Sequence, residues 1–154
     1  MTYRIEGLAP EAFEGLFSMT DGELAACNAV RVTADSAFGF PCRVSLADAA
    51  PGEELVLFNH VSNDVPTPFR TAYAIYVRKG AAPAAYQDEA PDYLDRRTLS
   101  LRGFGEDGML KHGLLAQPGE ADAQIRALFE RPEIATIHAH AAAYGCFLAR
   151  IERN

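Results

Sequence analysis

The run Leu55-Val56-Leu57-Phe58 is apolar at every position and follows the turn pair Pro51-Gly52. Apolar residues on successive positions fit a central β-strand whose two faces are both covered. Such a strand needs neighbours on either side and packed layers above and below, so it commits the chain to a sheet with a real core.

Candidate neighbours follow from the period of the sequence. Residues 70–78 read as a strand, with Tyr73, Ile75 and Val77 on one side and Ala72, Ala74 and Tyr76 on the other. Val30-Arg31-Val32 alternates. After the break at Gly39-Phe40-Pro41, Arg43-Val44-Ser45-Leu46 reads as another short strand. Residues 98–104 and 109–115 form a hairpin about Gly105-Glu106-Asp107-Gly108. The stretch 61–68, polar and carrying two prolines, is a loop longer than a hairpin needs.

Helices are signalled at three places. Pro10 opens a short one over 11–17, with Phe13, Leu16 and Phe17 on one face. Thr20 caps a second with Glu23 three residues on, and Leu24 and Cys27 face inward from it. The clearest covers about 120–131: Ile125, Leu128 and Phe129 make a stripe, acids fill the first turn, and Pro132 ends it. Pro91 starts a further short helix or turn. The expectation is an α+β fold in one globular domain, 1–154. It has a mainly antiparallel sheet, short N-terminal helices, one late helix packed on the sheet, and a closing C-terminal hairpin.

A chain of 154 residues buries roughly 70% of its unfolded surface and needs no crosslink or metal to hold it together. With 49% hydrophobic and 23% charged residues, its composition is that of a globular domain rather than a disordered one. The net charge of −7 argues against a nucleic-acid partner. No basic start leads into an apolar run at the N-terminus and no apolar stretch reaches membrane-spanning length, so neither a leader nor a membrane is expected. Cys27, Cys42 and Cys146 are odd in number and lack CxxC spacing, which fits reduced thiols and a cytoplasmic location. Each also fits a small buried apolar residue, and Cys27 is read that way outright.

The chemistry-bearing residues gather in the closing hairpin, 134–153. His138 and His140 share a strand face beside Thr136, while Ala135, Ile137 and Ala139 share the other. Pairing Ile137 with Ala149 unites the apolar faces, sets His140 opposite Cys146, His138 opposite Leu148 and Thr136 opposite Arg150, and leaves 141–145 as the loop. Gly145 is then free to turn left-handed. Under that register His138, His140, Cys146 and Arg150 lie on one face. Two histidines and a cysteine could hold a divalent ion such as zinc, with His60, water or substrate as a fourth ligand. Cys146 beside an imidazole and Arg150 could equally be an activated thiolate. Against both stands a structural reading, because a lone H-x-H has no further ligand spacing to support it.

Two more places carry candidates. Gly39-Phe40-Pro41-Cys42-Arg43 joins a stiff turn to a thiol and an arginine, fitted to an anionic ligand or to a buried thiol beside a paired arginine. Asn59-His60 ends the apolar strand, where polar groups often meet a cleft. No phosphate-binding glycine loop, serine elbow or HExxH is present.

The ordered set Phe40-Pro41-Cys42-Arg43-Val44-Ser45-Leu46, Pro51-Gly52-Glu53, Leu57-Phe58-Asn59, Ala74-Ile75-Tyr76-Val77, His138-Ala139-His140 and Gly145-Cys146-Phe147-Leu148-Ala149-Arg150-Ile151 resembles an uncharacterised bacterial family, domain of unknown function 1203. The resemblance covers nearly the whole chain and implies a stand-alone domain, but no activity. It points to the same two stretches, Cys42-Arg43 and 138–150. In the family pattern a histidine often stands in the strand before Ile-Phe-Val. Here that strand reads Tyr73-Ala74-Ile75-Tyr76-Val77, which counts against a metal site.

The reading favoured by these residues is a binding protein for a small polar or anionic molecule. Its pocket would lie beside the sheet, with Arg43 and Arg150 supplying charge and His138, His140, Asn59 and His60 supplying directed hydrogen bonds. The alternatives are a thiol-dependent enzyme using Cys146 or Cys42 with His138 or His140 as base, a metal site on His138, His140 and Cys146, and a structural module, such as a homodimer, that uses its histidine face.

Overall fold

The computed structural model describes all 154 residues. In chain order its elements are β1 (Tyr3–Glu6), a 3-10 turn (Pro10–Ala12), α1 (Glu14–Phe17), α2 (Asp21–Ala26), β2 (Val30–Thr33), β3 (Pro41–Cys42), β4 (Ala47–Asp48), β5 (Glu54–Asn63), β6 (Thr71–Arg78), β7 (Ala85–Gln87), α3 (Asp92–Asp95), β8 (Leu99–Phe104), β9 (Leu110–Ala116), α4 (Ala121–Phe129), β10 (Thr136–Ala141) and β11 (Phe147–Arg153). The fold is α+β, with its strands in two sheets rather than one. The larger runs β7-β1-β11-β10-β8-β9 and the smaller β2-β5-β6-β3-β4. All ladders are antiparallel except the single bridge joining Cys42 of β3 to Tyr76 of β6.

The run at Leu55–Phe58 does form an internal strand covered twice. Val56 and Phe58 enter a core with Ile75, Val77, Phe13 and Leu24, while Leu55 packs the other way against Ala34 and Ala49. The late helix lies on the larger sheet. Ile125, Leu128 and Phe129 of α4 join Ile137, Ala139, Ala149 and Ile151 in the largest core. Arg153 closes the end of this helix: its guanidinium donates to Phe129 O at 2.8 Å and Arg131 O at 3.0 Å, a cation on the negative end of the helix dipole. The start of α2 is the expected cap, with Thr20 Oγ1 accepting from Glu23 N at 3.2 Å.

Four local expectations are corrected. Two strands, β1 and β7, pair along the margin of the larger sheet at positions the sequence reading left unassigned. The segment 43–46 is a turn, not a strand: Leu46 N donates to Cys42 O at 3.0 Å, and Leu46 itself is left-handed at φ 48°. Its apolar alternation has another cause, because Val44 and Leu46 feed two different cores. Cys27 is exposed, since it stands just past the last turn of α2 rather than on its buried face. The fourth correction is the register of the closing hairpin.

In that hairpin Ile137 pairs with Ile151, His138 with Arg150 and Ala139 with Ala149, and a bulge then sets His140 against Phe147. The shift from the expected pairing is two residues, so the apolar faces still agree. The bulge exists because β11 is buried on both sides. It lets Leu148 and Ala149 both enter the larger core while Phe147 turns to the opposite one. Cys146 is thereby moved off the strand into the turn, where Gly145 adopts φ 78°.

The two sheets are tied at the 43–46 turn. Leu8 N donates to Arg43 O at 2.9 Å, Ala84 N to Val44 O at 3.0 Å and Gly7 N to Ala84 O at 2.8 Å, so the turn is gripped by the end of the β1–β7 ladder. A Cβ on Gly7 would stand 1.8 Å from Val44 O. Gly7→Ala should therefore cost at least about 2 kcal/mol, because backbone must move to admit the methyl. Gly145→Ala should cost only about 1 kcal/mol, since a methyl there meets open space and the penalty is the left-handed backbone alone. Urea unfolding of the two variants checks the order.

Candidate functional site

Arg43 is among the most buried side chains of the protein, at 2% exposure. Its position follows from the turn just described: β3 ends at Cys42, and Arg43 N is held by Tyr76 O at 3.1 Å. From there Nε donates to Phe147 O at 2.7 Å, across to the other sheet, and Nη1 donates to Pro41 O at 2.6 Å. No carboxylate pairs with it. Nη2 has no hydrogen-bond partner and is not sealed from solvent, because Arg43 forms part of the wall of a cleft of about 450 Å³. An arginine desolvated without a counter-ion is costly, and bonds to two carbonyls offset only part of that. An anion in the cleft would supply the rest.

The cleft is otherwise mostly apolar. Tyr73 and Tyr76 of β6 line it, with Phe38 on one margin and Tyr144, Cys146 and Leu148 from the closing hairpin on another. Arg97 also reaches it, with Nη2 paired to the Oδ1 of Asp48, itself buried; exposed Arg96 shares that carboxylate at 3.8 Å. The guanidinium groups of Arg96 and Arg97 lie over the Phe38 ring, 4.4 and 4.7 Å from its centre. Tyr76 packs on Phe40.

The expected site residues divide among several places. Arg43 and Cys146 meet in the cleft. Cys42, next to Arg43 in sequence, points the other way and is wholly buried. Its Sγ accepts from Arg78 N at 3.3 Å and Ser45 N at 3.5 Å. Asn59 and His60 do not end the strand as expected, because β5 pairs with β6 as far as Asn63 and takes the first three residues of the expected 61–68 loop; being successive on β5, the two side chains point to opposite faces. Asn59 is exposed, and His60 is half-buried against Phe13 and Phe58. Arg150 lies outside the cleft, bound to Glu152 at 2.8 Å in a surface chain that continues to Arg4.

His138 and His140 sit side by side on β10, their ring centres 6.4 Å apart and both 2% exposed. Phe147 stands against both rings, and Phe104 lies 5.1 Å from His138. His140 Nδ1 donates to Gly145 O at 2.9 Å, which fixes the proton on that nitrogen and helps shape the turn carrying Cys146. His138 Nδ1 is buried with no partner. No imidazole nitrogen is bonded to a cysteine sulfur, and no three His, Cys, Asp or Glu side chains gather around a point that could hold a metal ion.

Phe38, Tyr73, Tyr76, Arg97 and Tyr144 all line the cleft and escaped the sequence reading as site members; the two tyrosines of β6 read as parts of a strand. Arg97 was visible as half of the Arg96-Arg97 pair, and Tyr144 as an aromatic in a turn of small residues. Phe38 carried no signal beyond its place before Gly39.

Burial pushes both histidines down from the ordinary 6.5 to about 4. The cations of Arg150 and Arg102, with the other ring, add to this at His138 against the Glu152 carboxylate, and Arg102 and Arg43 add to it at His140 against the bond to Gly145. The unfolded chain therefore takes up protons near pH 6.5 that the folded protein refuses until about pH 4. Stability is complete above the upper value and falls as the pH drops through this window, by a few kcal/mol in total, on the order of the summed shifts. Urea midpoints measured across it should fall steadily toward acid, and His138→Phe should flatten the slope.

A family model described as "Protein of unknown function (DUF1203)" matches residues 39–153. No curated protein and no solved structure matches the chain. The matched span takes in Arg43, both buried histidines and every cleft residue but Phe38, and leaves out residues 1–38 and Asn154. The chain belongs to the DUF1203 family of proteins of unknown function.

Proposed function

We propose that the protein binds a small polar or anionic molecule in the cleft at Arg43. The observation that carries this reading is the guanidinium itself: buried, held rigidly by two carbonyls, without a carboxylate partner, and with Nη2 open to the cleft. A cation pre-oriented in an apolar wall is a strong anion receptor, because little entropy is lost on binding and little water screens the charge. The cleft volume lies in the range of small-ligand sites. The three cysteines are all unpaired, which suits our further reading that the protein works in the reducing cytoplasm.

A bound anion should be seen directly at Arg43. Its Nε–H, bonded to Phe147 O, is shielded enough to give a resolved arginine signal by NMR. Titration with acetate should shift that signal saturably, and chloride at equal ionic strength should not. A signal unmoved by acetate would overturn the proposal.

A thiol-dependent enzyme is the second reading, favoured by one fact: Cys146 lines the same cleft as Arg43. Burial predicts that iodoacetamide modifies exposed Cys27 first, half-buried Cys146 more slowly, and Cys42 only on unfolding. Cys146 reacting faster than Cys27 would favour the enzyme.

A further inference from the structure

Resting on that reading, we infer that the ligand is a monocarboxylate with a flat apolar or aromatic body. Three observations carry this, and the first is charge. Of the two arginines in the cleft, Arg97 is neutralised by Asp48, and none of the twelve lining residues is acidic. Arg43 is therefore the one cation of the lining without a carboxylate partner; Arg96, which shares Asp48 at 3.8 Å, is solvent-exposed and outside the lining. A single negative charge balances Arg43, whereas a phosphate dianion or a tricarboxylate would bring surplus charge into an apolar site.

The second observation is geometry. Both N–H groups of Nη2 are free, while Nε and one N–H of Nη1 are engaged with carbonyls. What is left is three N–H donors, two on Nη2 and one on Nη1, all in the guanidinium plane, and the natural complement of coplanar donors is a planar carboxylate. A tetrahedral anion needs donors converging from several directions. The cleft supplies no second free cation and no helix terminus for that purpose.

The third observation is the rim. Eight of the twelve lining residues are hydrophobic. Phe38 is already covered by arginines and Tyr76 already packs on Phe40, but Tyr73 and Tyr144 have no aromatic or cationic partner. They are 48% and 81% exposed, unusually open for large side chains, and both border the cleft. Two unpartnered ring faces beside a buried cation form a slot for a flat apolar group whose acid end reaches Arg43.

The test uses calorimetry with the full chain and 1-naphthoate as probe. Its neutral amide and inorganic phosphate serve as controls. Naphthoate should bind, the amide at least tenfold more weakly, and phosphate more weakly still. Arg43→Lys, which keeps the charge but loses the planar fork, should weaken naphthoate about tenfold or more. That variant also removes a tie between the sheets, so Tyr73→Ala and Tyr144→Ala supply the independent arm. Both lie at exposed positions and should each cost about threefold to tenfold in affinity with the fold intact. Acetate shifting the Arg43 signal while phosphate outcompetes naphthoate would overturn the carboxylate assignment and leave the anion site standing. Equal binding of naphthoate and its amide, or unchanged naphthoate affinity in both tyrosine variants, would also overturn it. If acetate leaves the Arg43 signal unmoved, the anion site itself falls.

Discussion

The hydrogen bond from Arg43 Nε to Phe147 O is the contact on which the arrangement of this protein turns. It joins the turn after β3, in the smaller sheet, to the first residue of β11, in the larger. Around it, Leu8 and Ala84 grip the same turn from the end of the β1–β7 ladder. A guanidinium is suited to such a post: it stays charged, its donors are fixed in a plane, and its bonds to carbonyls are stronger than neutral ones. The same choice creates the opportunity for function. A side chain buried for structural reasons retains a charge that its two carbonyl partners cannot neutralise, and the unsatisfied part faces the cleft.

The bulge in β11 is the second determinant. One extra residue turns Phe147 toward the histidines, brings its carbonyl to Arg43, and lifts Cys146 into the turn that borders the cleft. His140 supports that turn through Gly145 O. The two histidines thus act on the site from behind it. They are walled by Phe104, Phe147 and each other, and held neutral by burial. Their imidazoles are part of the packing between the sheets, and the cost of charging them there ties the stability of the protein to pH.

Much of the secondary structure was legible in the sequence because it rests on local rules. The cap at Thr20, the stripe of Ile125, Leu128 and Phe129, and the double-sided burial at Leu55–Phe58 each follow from a period or from a side chain that satisfies a nearby backbone group. The errors also have local causes. Residues 43–46 imitate a strand because Val44 and Leu46 are drawn into separate cores, and no window of four residues reveals that two cores exist. The short strands β1 and β7 are stable only as neighbours of β11 and of each other.

For the site, the sequence by itself determined which residue types were available and which stretches would carry them. Arg43 after a stiff turn, and a hairpin bearing His138, His140 and Cys146, could both be identified from local pattern. Only the tertiary structure decided which of them meet. A two-residue change of register keeps Ile137, Ala139, Ala149 and Ile151 on one face, so hydrophobic pattern could not choose between pairings that put Cys146 on a strand or in a turn, nor foresee the bulge that turns Phe147 over. Cys42 ends β3 while Arg43 starts the turn after it, which separated the thiol from Arg43's cleft, and successive residues on β5 point apart, which separated Asn59 from His60. The bond from Arg43 to Phe147 spans 104 positions in the chain, and the neutralisation of Arg97 by Asp48 spans 49. Charge balance in a cleft is a property of which groups are packed together, and that is settled by how the two sheets and their turns close on one another.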